Sequence, residues 1–305
     1  MRSSNSIACP GTGPCNRDAD RIRDATLHTF GGKQNMKRYA ALVLLVVFAA
    51  AAGCQKDKDG KRGDKAGGKA AAGKSAGGNA ASGCPEGMAA IPAGEFMMGC
   101  PEAGMGTCYD DEKPAKAVTV GAFCIDIREV TQKQYKSAMK TAPWFFKQCG
   151  DDCPVEQVSW NEANEYCRKT GKRLPTEAEW ERAARAGSDA RFPWRESPAA
   201  EHAWFNENAG GTIHPVGQKA PNAYGLYDMA GNVAEWAHDC YDAVWYARMP
   251  ADNPVNEAAS CPLHTVRGGS WMIRKDNAAV SDRSGFNTDI KTNFIGFRCA
   301  MSLKQ

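Results

Sequence analysis

The sequence predicts an α/β domain that is irregular, loop-rich and disulfide-stabilised. Three observations predict it. Short strand-like runs and three well-signalled helices fill the first half of the region after Cys84. After Gly187 strong periodicity disappears, and Pro, Gly, Asn and Trp are spread over about 110 residues. Ten of the 13 cysteines lie from Cys84 onward, an even number, as expected of a secreted framework.

The elements follow in order. Met88 to Gly99 reads as two short strands around a Pro/Gly turn, and Val118 to Asp126 as one further strand. Three helix starts carry a capping box, in which a hydroxyl accepts from the third helical N–H and a Glu or Gln reaches back. Thr131 and Gln134 open a helix through about Lys140; Ser159 and Glu162 open one through Thr170, ended by Gly171; Thr176 and Glu179 open one through Ala186, stopped by Gly187.

The N-terminal part reads as an address. Residues 1–35 are polar and are set aside as a non-native extension, with Met36 the expected start. Residues 36–53 have the layout of a signal peptide, an apolar run behind Lys37 and Arg38 that is too short for a comfortable transmembrane helix. The run ends Ala51-Ala52-Gly53-Cys54, which resembles a bacterial lipobox; the resemblance implies lipidation of Cys54 and a membrane anchor. Gln55, where Asp would signal inner-membrane retention, points to the outer membrane. The expected location is therefore the cell envelope, facing the periplasm or the outside. Residues 54–83 carry Lys, Gly, Ala and Ser without an aromatic, so they cannot offset their ordering entropy and read as a flexible tether. The folded domain is expected over 84–303.

Charge excludes one class of partner. Residues 1–53 and 55–83 each hold seven basic against three acidic residues, so of the formal +3 the remainder from Cys84 carries about −5. No basic face for nucleic acid is indicated.

Cys100 and Cys108 bracket a Gly-rich loop, Cys149 and Cys153 could close a tight one, and Cys240 and Cys261 bracket a long one. The five His are scattered and no paired CxxC knuckles occur, so structural disulfides are favoured over zinc.

Val158 to Cys167, Gly171 to Ala184, Phe192-Pro-Trp194, His214 to Gln218, Pro221 to Trp236, Arg267-Gly-Gly-Ser-Trp271 and Ile295 to Cys299 together resemble the sulfatase-modifying-factor family, the formylglycine-generating enzymes. The resemblance covers roughly residues 86–302. It implies a variant C-type-lectin-like fold and a structural disulfide between Cys167 and Cys299. It also implies a calcium site, with Asp228 and Glu235 as side-chain ligands and Gly231 and Val233 as carbonyl ligands, since hard oxygens suit Ca2+.

Catalytic members resemble copper-dependent oxidases, with two reactive cysteines just after the Gly-Gly-Ser motif. Here Ile273 and Ala278 stand in that segment, and neither offers the thiolate a Cu(I) ion needs. Catalytic members often place Trp on the cleft wall where Ala234 stands. Copper is therefore not expected and no catalytic residue is assigned. The related iron-dependent branch needs a His-rich helical domain, and no such run occurs here. Ser270, Trp271 and Arg274 are the candidate cleft residues. Trp160, Trp180, Trp194, Trp204 and Trp236 read as core fillers, and Arg298 as a carboxylate partner. The expected function is a non-catalytic binding module for a peptide, glycan or protein. The alternative is an oxidoreductase acting on protein cysteine, or altered metal chemistry in the same cleft.

Overall fold

A computed structural model describes residues 83–101, 108–195 and 197–303. The expected extension, signal peptide, lipidation site Cys54 and nearly all of the tether lie outside the described residues.

Three small sheets carry the domain. Strands β1 (Met88–Ile91), β4 (Phe123–Asp126) and β9 (Ala300–Ser302) form an antiparallel sheet in the order β1-β4-β9. Strands β2 (Gly94–Met98) and β3 (Lys116–Val120) pair antiparallel. Strands β5 (Ala234–Cys240), β6 (Leu263–Arg267), β7 (Arg283–Asn287) and β8 (Ile295–Gly296) form a four-stranded sheet in the order β7-β6-β5-β8, with β5 and β8 parallel.

The single strand expected over Val118 to Asp126 is corrected to two, broken after Val120. The two halves differ: β3 alternates between core and solvent and pairs with β2, while β4 is buried at every residue and lies between β1 and β9. Between the two, the Gly121 N–H donates to Asn253 Oδ1 (2.8 Å), and the chain passes from one sheet to another. Most of the sheet structure after Gly187 was not read from the sequence.

Helices α1 (Gln132–Met139), α2 (Trp160–Lys169) and α3 (Glu177–Arg185) start where their capping boxes place them. In each, the hydroxyl of Thr131, Ser159 or Thr176 accepts from the third helical N–H, and Gln134, Glu162 or Glu179 accepts the cap N–H at 2.9 Å. Two short helices, α4 (Ala199–His202) and α5 (Trp245–Arg248), complete the set among the described residues.

Although α3 reads EAEWERAAR, all nine of its residues are buried. Its charges survive burial because each has partners of opposite sign or carbonyl oxygens. Glu177 accepts from Arg283 (2.6 Å), Glu181 accepts from Arg267 (2.6 Å) and Arg185 (2.7 Å), and Arg182 donates to the Pro92 carbonyl (2.7 Å). Tyr246 closes the network, its hydroxyl donating to Glu177 (3.2 Å).

Five disulfides tie the loops: Cys84–Cys124, Cys100–Cys108, Cys149–Cys153, Cys167–Cys299 and Cys240–Cys261. Among the described residues, only Cys167–Cys299 has both cysteines wholly buried; it joins α2 to the residue before β9, inside a core of Tyr135, Tyr166, Trp236 and Phe297.

Candidate functional site

Two features meet where the first residues of β5 face the loop after β6: an acidic cradle around Asp228 and an apolar plug around Ile273.

The cradle is a strained turn. Asp228 and Asn232 both adopt positive φ, at 57° and 53°, and Gly231 lies between them at 76°. A side chain at Gly231 would collide with the Trp204 backbone, so the close approach requires glycine. Asn232 fixes the turn, donating to Glu129 Oε2 (2.7 Å) and the His214 carbonyl and accepting from the His214 N–H (3.0 Å). The Val233 N–H donates to Glu129 Oε1 (3.1 Å). Non-glycine residues hold such conformations only where the surroundings over-determine them.

Three buried carboxylates share this region, Glu129, Asp228 and Glu235, against one fully buried guanidinium, Arg298. Burial pushes the Glu129 carboxyl well above its usual range, and the charges of Asp228 and Glu235 push it further. Burial also raises Asp228. Its Oδ2 accepts from the Gly217 N–H (2.7 Å), whereas its buried Oδ1 has no hydrogen-bond partner. An orphaned carboxylate oxygen in an anion-rich pocket is what a hard cation would satisfy, so Asp228 fits calcium. Glu235 is otherwise engaged: Arg298 contacts both its oxygens (Nε–Oε2 2.8 Å, Nη2–Oε1 2.7 Å), and Trp180 Nε1 donates to Oε2 (2.8 Å). It could reach a cation only by sharing an oxygen. Arg298 thus faces a carboxylate and the Tyr227 carbonyl (2.8 Å).

The loop after β6 is pinned to the cradle. The Gly231 N–H donates to the Gly268 carbonyl (3.0 Å), the Trp271 N–H to the Asn232 carbonyl (2.8 Å), and the Asn206 N–H to the Ile273 carbonyl (2.9 Å). Of the candidate cleft residues only Arg274 is exposed. Ser270 is 1% exposed and Trp271 8%, so both are covered in this structure. Trp271 is covered by Phe146, edge-on at 5.5 Å, and its Nε1 donates to the Asn293 carbonyl (3.1 Å). Ala234 is likewise buried, in the core cluster that contains Cys167 and Cys299. Of the five Trp residues read as core, Trp180 and Trp236 are fully buried and Trp194 nearly so; Trp160 and Trp204 are half-buried.

Ile273 and Ala278 are buried in one cluster with Trp194, Ala203, Phe205 and Ala230. The cluster offers carbon where a metal centre would need donors. Residues 75–303 match the sulfatase-modifying factor enzyme 1-like domain.

The chain belongs to the sulfatase-modifying factor family.

Its relatives divide by activity. It is 31% identical over 289 residues to a formylglycine-generating enzyme of Thermomonospora curvata, covering 70% of this chain and 93% of that protein. It is also 31% identical over 281 residues to the inactive C-alpha-formylglycine-generating enzyme 2 of Mus musculus, covering 70% and 85%. Among solved structures, PvdO from Pseudomonas aeruginosa superposes with a TM-score of 0.65 at 32% identity, over 72% of this chain and 95% of that one. The expected disulfide-stabilised, loop-rich fold of the sulfatase-modifying factor family is the fold this chain has.

Within that family frame, sequence reasoning missed Glu129 and Asn232. Each acts through a partner distant in sequence, Asn232 reaching back 103 positions to Glu129, and no local motif marks the pair.

Proposed function

We propose that this chain is a lipid-anchored envelope protein whose formylglycine-generating-enzyme-like domain is a non-catalytic binding module for a peptide, glycan or protein. One observation carries the reading: Ile273 and Ala278, in the segment where catalytic relatives hold copper through cysteines, are buried together among aromatic and aliphatic side chains. No thiol compensates, since every cysteine among the described residues is disulfide-bonded. A relative named as inactive, 31% identical, supports the same direction.

In this reading Cys54 anchors the chain and residues 54–83 give it reach. Calcium is held by Asp228, with the carbonyls of Gly231 and Val233 and a shared oxygen of Glu235. The orphaned Asp228 oxygen and the excess of buried carboxylate charge support that assignment. The cation would supply rigidity rather than chemistry: it fixes the turn to which the loop of Ser270, Trp271 and Arg274 is hydrogen-bonded. Arg274 offers the exposed charge at that lip.

The test is oxygen uptake by the purified full chain supplied with Cu(I), ascorbate and a CxPxR peptide, without thiol reductant. The expected result is no peptide aldehyde and no uptake above the peptide-free control. Aldehyde on the peptide cysteine would overturn the reading.

A further inference from the structure

Away from the cradle, two sulfurs and a ring nitrogen converge at the edge of the four-stranded sheet. Cys240 ends β5, His264 lies opposite it on β6, and Cys261 enters β6 from an exposed run. The two Sγ atoms and a His264 ring nitrogen all lie within 4.8 Å of one another. His264 Nε2 is 3.2 Å from Cys261 Sγ.

The imidazole is oriented by groups that do not touch the sulfurs. Thr288 Oγ1 donates its one hydrogen to the Cys261 carbonyl (2.8 Å), so towards His264 Nδ1 (3.0 Å) it can only accept. Nδ1 therefore carries the proton, and the Nε2 lone pair faces the sulfur. Trp160 stacks on the ring at 3.8 Å and 14°, and its own Nε1 donates to the Ala237 carbonyl (2.8 Å). A histidine whose far nitrogen is held by a hydrogen bond is the usual form of a metal ligand. The other sulfur pair beside a donor, Cys100–Cys108 with Glu112, lacks this: the Glu112 carboxylate already accepts from the Tyr109 N–H (3.3 Å) and the Ser281 hydroxyl (2.8 Å).

We propose that a dithiol which opens Cys240–Cys261 converts this cluster into a site for one thiophilic d10 cation, bound by both sulfurs and His264 Nε2. The balance is simple. The dithiol gives two electrons and two protons and becomes a disulfide; the S–S bond breaks to two thiols; a divalent cation then displaces both thiol protons to solvent. Two thiolates and an imidazole suit such a cation, and half-exposed Cys261 leaves a fourth, tetrahedral position for water.

The test uses the full chain and Zn2+ as probe. After mild dithiol treatment and removal of the reductant, peptide mapping locates the open pair and equilibrium competition measures bound zinc. The expected result is one zinc per reduced chain, none per oxidised chain, with Cys167–Cys299 intact. His264→Gln should weaken binding by at least tenfold, and the Cys240→Ser/Cys261→Ser double variant should hold none. The proposal is overturned if the reduced chain takes up no zinc, if His264→Gln binds as tightly, if the double variant retains the metal, or if all five disulfides open together.

Discussion

Arg298 and Glu235 form a two-point ion pair sealed from solvent, with Nε 2.8 Å from Oε2 and Nη2 2.7 Å from Oε1. Removing the guanidinium leaves Glu235 with only the Trp180 N–H and leaves Glu129 and Asp228 without their buried counter-charge. Breaking a buried pair from one side costs roughly 3–5 kcal/mol. Arg298→Leu should therefore lower the urea midpoint by that equivalent at unchanged m. A loss under about 1 kcal/mol would show that the pair is neutralised by protonation rather than by charge.

Calcium should stabilise the domain through Asp228. Ligand at about 100 times its Kd adds roughly 2.7 kcal/mol, and each kcal/mol moves the midpoint by about 2–4 °C in a domain of this size. A rise of about 5–10 °C in calcium over chelator is expected by calorimetry. Asp228→Asn should abolish the difference; an undiminished shift in that variant would place the ion elsewhere.

The Cys167–Cys299 bond closes the longest disulfide loop among the described residues, with a sequence separation of 132. Loop-closure entropy for such a span is on the order of 4–5 kcal/mol, before any native-state strain. Cys167→Ala/Cys299→Ala should lose about 2–5 kcal/mol by denaturant titration. It should lose more than removal of Cys149–Cys153, whose separation is only 4.

Glu156 gives the domain a pH dependence of defined sign. Its side chain is fully buried; Oε1 accepts from the Phe146 N–H (2.9 Å) and Oε2 has no partner. Burial raises its carboxyl to about 7. The folded state thus binds this proton more tightly than the unfolded chain does. Its stabilising contribution is complete below the unfolded value near 4.3 and is lost as pH rises to about 7, at up to roughly 1.4 kcal/mol per pH unit. Glu156→Gln should flatten the stability profile in that window, read by urea titration from pH 4 to 8. An unchanged slope would remove Glu156 as its source.

What the sequence made legible was local. The three helices were readable because Thr131 with Gln134, Ser159 with Glu162 and Thr176 with Glu179 solve a backbone problem within four residues. The burial of α3 was not readable. Arg185 is four residues from Glu181, but Arg267 and Arg283, which reach Glu181 and Glu177, come from 86 and 106 positions away. The site divides in the same way. Asp228, Gly231, Val233 and Glu235 lie within eight consecutive residues, from the turn into the start of β5, whereas the third carboxylate, Glu129, arrives from another part of the chain. Ser270 and Trp271 were named through the family resemblance; Phe146, which packs edge-on against the indole, belongs to a distant segment and was not legible beside them. The unequal roles of Val118 to Asp126 emerge only once β1 and β9 flank its second half.

Strand β4 has a mechanical consequence. Cys84 is bonded to Cys124 at its centre, β9 runs along its other edge, and Gly83 lies beside Leu303. Tension applied at residue 83 would enter this central strand through the Cys84–Cys124 bond as well as through the backbone leading to β1. Because Gly83 and Leu303 are neighbours, a short peptide joining them, with a new opening cut in an exposed loop, should yield a circular permutant that keeps the three sheets of the described residues.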